Sequence, residues 1–98
     1  MGLQQDFIDR MEAQLKNCGV EIDDLRVRAA EAGEEVRGRI EKILGDLLER
    51  REAVLKRIQE VKRAKDEAWV DLQVHTENAL DSLKTGVESA LSRFRRPG

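Results

Sequence analysis

Few side chains in this sequence have the types and spacing that chemistry needs. Nucleophilic catalysis would need Cys18 or a serine beside a base, and the only histidine is His75, 57 positions from the only cysteine. One Cys and one His at that separation do not make a zinc site within one chain. Carboxylates are plentiful but alternate with Lys and Arg, the pattern of a solvated helix face. The glycines are spread at helical distances and do not form the Gly-rich loop after a strand that cradles phosphate. Arg93, Arg95 and Arg96 beside Phe94 could serve nucleic-acid binding, but cations at a helix C-terminus also offset its negative pole. A pI near 5.5 weakens the electrostatic case for nucleic acid. The residues therefore predict no catalytic site, no cofactor, no metal and no nucleic-acid partner.

The elements that would carry these residues are helical. Charged residues make up 39% and the apolar set 40%, with a net charge of −2 and a single proline, Pro97. Mixed charge with that apolar content reads as long helix or coiled coil rather than disorder. Ile8, Met11, Leu15, Cys18, Ile22, Leu25, Ala29, Ala32 and Val36 recur by threes and fours, a heptad stripe on one helix face. A further step of four leads to Ile40, then Ile43, Leu47, Val54, Ile58 and Val61, with Leu44, Leu48 and Leu55 beside them. The extra four reads as a stutter that relaxes a supercoil without ending the helix. A second run holds Trp69, Leu72, Ala79, Leu83, Val87, Ala90 and Phe94, flanked by Leu80 and Leu91 and weakest at His75 and Thr76. On this stripe Cys18 reads as a small buried apolar group, with a cross-chain disulfide as the alternative. His75 reads as a partly buried structural histidine, and Trp69 as an anchor at the hairpin end.

Lys62, Arg63 and Lys65 suit the end of a helix, and Asp66 and Glu67 suit the cap and first turn of the next. The expected fold is one all-α domain over residues 1–98: a long first helix over about 3–63, a turn at about 64–66 and a helix over about 67–95. The alternative is a three-helix bundle broken near Gly33, with Glu34 and Glu35 opening the second helix. No Ser, Thr, Asn or Asp stands ready to cap there, which favours continuity. Acid-before-base pairs at i, i+4 support the helices: Asp6–Arg10, Glu12–Lys16, Asp24–Arg28, Glu35–Arg39, Asp46–Arg50 and Glu52–Lys56.

Cut after residues 33 and 65, the chain carries 4 basic and 7 acidic residues, then 10 and 7, then 4 and 6, giving −3, +3 and −2. The middle third is suited to lie between the other two. A first helix of about sixty residues would span roughly 90 Å, about twice what the second could cover. The long-helix reading thus predicts an antiparallel homo-oligomer, with self-association or partner helices as the binding mode.

With the stripes laid out, FIDRMEAQLKNCGVEIDDL, ERREAVLKRIQEVKRAKDEAWVDLQ and ALDSLKTGVESALSRF resemble short bacterial coiled-coil proteins linked to stress responses, an uncharacterised helical family. The AQL…EID pattern and DEAW-x-DL carry most of the likeness, and Cys18-Gly19 departs from it. The resemblance implies a cytoplasmic coiled coil that acts in stress without catalysis, and it assigns no functional residues. Low cysteine content and the lack of a long apolar run also point to the cytoplasm. Asp6 stands where a myristoylation motif wants Ser or Thr, and the acidic N-terminus is unlike a secretory signal. A lipid- or particle-surface coat is the competing function, because the last helix is amphipathic, begins near Trp69 and ends in arginines. Its polar face is acidic or neutral apart from Lys84, which favours packing on its own chain over a membrane surface.

Overall fold

The computed structural model describes residues 2–95, and they form three helices: α1 (Leu3–Glu31), α2 (Glu34–Arg63) and α3 (Ala68–Arg93). Their lengths of 29, 30 and 26 residues are nearly matched. Side by side they make a rod of 52 × 21 × 16 Å. The start of α1 lies beside the end of α2, and the end of α1 beside the end of α3, so helices adjacent in sequence run in opposite directions.

The continuous helix over 3–63 is not what forms. The chain leaves the helix at Ala32 (φ −85°, ψ 160°) and Gly33 (φ −67°, ψ 164°), both extended, and α2 starts at once. A reversal here lets α1 cover its stripe with α2 and α3 of the same chain, and burying that stripe is the dominant favourable change. Gly33 stands at the start of α2 without a side-chain cap, and Arg37 closes the end of α1 instead: its Nε donates to the Ala29 carbonyl at 3.2 Å, which also accepts the Ala32 N–H, and its Nη2 donates to the Ala32 carbonyl at 3.2 Å. Val36 marks the cost of reading a stutter here. It is 40% exposed, not part of the stripe.

The same device recurs at the other ends. Gln4 Nε2 on α1 donates to the Val61 and Ala64 carbonyls at 2.7 and 3.1 Å, closing α2. Arg28 Nη1 on α1 donates to the Leu91 and Phe94 carbonyls at 3.1 and 3.0 Å, closing α3, while Nη2 holds Asp24 at 2.9 Å. Each helix C-terminus is therefore capped by a side chain from a different helix.

One core runs the length of the rod. Ile8, Met11, Leu15, Cys18, Ile22, Leu25, Ile40, Leu47, Val54, Ile58, Val61, Leu83 and Val87 are buried in it, joined by Phe7, Ala29, Leu44, Leu80 and Ala90. Ile43, Trp69, Leu72 and Phe94 are half-buried at its edge. α2 makes the larger contact with each of the other two helices, in line with its opposite net charge. Of the expected intrahelical pairs, Asp24–Arg28, Glu35–Arg39 and Asp46–Arg50 close at 2.9, 3.0 and 3.0 Å. Glu12 reaches across to Lys62 on α2 at 3.0 Å instead of Lys16, and Arg10 lies 5.4 Å over the Phe7 ring.

The second turn also differs from the expectation that Asp66 caps α3. Asp66 adopts φ 55°, a left-handed conformation that Asp tolerates better than most residues, and Glu67 stands at the cap position without a side-chain bond. Helix α3 closes tightly on α2 at Gly86, where an added Cβ would come within 2.8 Å of both Leu47 Cδ2 and Arg50 Nη1.

The two kinds of helical glycine should respond oppositely to alanine. Gly45 has open space around it, so Gly45→Ala should raise unfolding free energy by about 0.5–1 kcal/mol. Gly86→Ala should gain nothing and lose about 1 kcal/mol or more as Leu47 is pushed aside, both read by urea denaturation.

Candidate functional site

An open groove of about 500 Å³ lies between α1 and α2. Its floor is apolar: Leu15 and Ile22 from α1, and Leu48 and Leu55, one heptad apart, from α2. Val20 stands on its α1 rim, 64% exposed, next to Gly19, whose Cα has no side-chain neighbour within Cβ reach. Glu12, Lys16, Asp23, Arg26 and Arg51 line the edges. Asp23 and Arg26 make a loose exposed pair at 3.6 Å. Leu48 and Leu55 read from sequence as a widening of the stripe. That widening arises because α2 carries two apolar faces, one toward the core and one toward this groove.

A second, smaller concavity of about 390 Å³ lies at the far end, lined by Arg39, Lys42 and Ile43 of α2 with Arg93 and Phe94 of α3. The fold adds Arg39 and Lys42 of α2 to the basic tail of Arg93 and Arg95 beside Phe94, a juxtaposition that spacing along the chain does not show. Arg96, the third arginine of that tail, lies outside the described residues.

The candidate chemical residues are not brought together. Cys18 is buried on α1 and faces Lys84 and Glu88 of α3. His75 sits nine residues before Lys84 on α3, about 13 Å along the helix. His75 is exposed, which corrects its reading as a partly buried histidine. Its neighbour Thr76 takes the inward position, fully buried, with its hydroxyl donating to the Leu72 carbonyl at 2.9 Å. Trp69 packs its half-buried ring on Phe7, with centroids 6.1 Å apart at a tilt of 40°, and this joins the start of α3 to the start of α1. Among the described residues no group of His, Cys, Asp and Glu is arranged to hold a metal ion, and no helix is long and apolar enough to cross a membrane.

Burial is the main reason that the Cys18 thiol is pushed above its ordinary pKa, with Glu21 and Glu88 adding to the shift and Lys84 opposing it. The nucleophilic thiolate is thereby disfavoured. Because the folded-state pKa is raised, the associated stability is full below the ordinary thiol range and is lost as pH rises from there through the higher folded-state value.

Comparison with protein-family models, with curated proteins and with solved structures finds no match.

Native Cys18 should react with an aromatic disulfide reagent at least 100-fold more slowly than in urea near neutral pH, because the thiol is buried and burial disfavours its thiolate further. Equal rates in the two solvents would show that the α1 stripe is open to solvent.

Proposed function

We propose that this protein is a non-enzymatic interaction module that works by coiled-coil-like helix association, presenting the α1–α2 groove to a further helix. The observation that carries this reading is the groove itself. Over a floor closed by the buried Leu15 and Ile22, it offers half-buried Leu48 and Leu55, one heptad apart, and exposed Val20 between charged edges, the form of a helix-in-groove receptor. The apolar stripe used inside the chain leaves association to this outer face, so a bare N-terminal stripe is no longer the reason to expect an oligomer. A role in stress responses is what the family resemblance adds.

A lipid- or particle-surface role has a separate support. Val70 and Val74 are 47% and 62% exposed on the first turns of α3, which follow Arg63 at the end of α2 and Lys65 in the connection. In that reading Val74→Asp abolishes flotation with anionic vesicles.

Photo-crosslinking side chains placed at Leu48 and, as a control, at Val74 separate these readings in host cells. The helix-receptor function predicts discrete crosslinked species from Leu48, at least tenfold more abundant than from Val74. Crosslinks from Val74 alone, or from neither position, contradict it.

A further inference from the structure

We infer that the α1–α2 groove takes a second copy of this chain, with the two α1 helices crossing antiparallel at Gly19 and Val20. The inference rests on the reading of the groove as a helix receptor and names its occupant.

Charge complementarity selects the partner. Lys16 and Asp23 both line the groove and stand one heptad apart, so they share a face of α1. They lie at equal distances on either side of the Gly19–Val20 midpoint. An antiparallel copy centred there sets Lys16 opposite the other chain's acid at the same position as Asp23, and repeats the pair by symmetry. A parallel copy would set lysine on lysine and aspartate on aspartate, so the same two residues also fix the orientation. Two-fold pairing of this sort closes on itself, as an isologous interface must.

The rest of the face fits. Lys16 makes no ion pair among the described residues, and the Asp23 pair with Arg26 is long at 3.6 Å. Both charges are thus available across an interface. Val20, 64% exposed, would be covered at the crossing point, and Gly19 leaves open space for a backbone to approach. Leu48 and Leu55 on α2 would then flank the incoming helix and turn two open pairs into a four-helix core.

A charge-exchange cycle tests this on the full chain by sedimentation equilibrium, with circular dichroism confirming that each variant keeps its helices. The wild type is expected to dimerise at micromolar concentration and to weaken with salt. Lys16→Glu and Asp23→Lys should each weaken the dimer about tenfold or more, since each puts like charges opposite twice. The double variant K16E/D23K should recover to within about threefold of wild type. A wild type that stays monomeric at high micromolar concentration overturns self-pairing, while crosslinking from Leu48 would still stand for a different helix. A dimer indifferent to the single changes, or one that the double change fails to restore, also overturns it.

Discussion

Everything in this structure depends on covering one apolar stripe. Residues 7–29 present a stripe too long and too regular to face water, and they can be covered only by the rest of the chain or by another molecule. Turning back at Ala32 and Gly33 makes the first solution available. Two extended residues suffice, because α1 and α2 are almost equal in length and lie alongside each other from end to end. Once that hairpin exists, α3 fills the remaining side with Leu80, Leu83, Val87 and Ala90.

Reversing a helix leaves several carbonyls without partners, and this chain supplies them from neighbouring helices. Arg37, Gln4 and Arg28 each close a different helix end. Such caps form only when the helices are already docked, so secondary and tertiary structure stabilise each other. Arg28 is the most committed of the three. It is held by two carbonyls and by Asp24, and its Nε is buried without a partner of its own.

This arrangement explains what could be read from the sequence and what could not. Three-and-four spacing marks the helical class and the residues that line the core, because burial imposes that period directly. It does not mark the break at Gly33. The break's cap, Arg37, lies inside the following helix and acts backward across the turn, where a reading tuned to Ser, Thr, Asn or Asp before a helix has nothing to find. Val36 kept the period by coincidence while facing water. Phe7 stands beside the stripe, and its ring packs on Trp69, a partner 62 residues away that periodicity does not reveal. The groove was half legible. Leu48 and Leu55 signalled a wide apolar face on α2, but which edges of α1 border it depends on a reversal that the period alone did not disclose.

The intramolecular distance between the two ends of the first hairpin tests the central claim directly. Spin labels at exposed Gln5 and Arg63, in a Cys18→Ala background and diluted with excess unlabelled protein, report that distance within one chain. The three-helix arrangement, in which Gln4 bonds to Val61 and Ala64, predicts a narrow distribution below about 25 Å, label linkers included. A distribution centred near roughly 85 Å, the span of an unbroken helix over those residues, would contradict it.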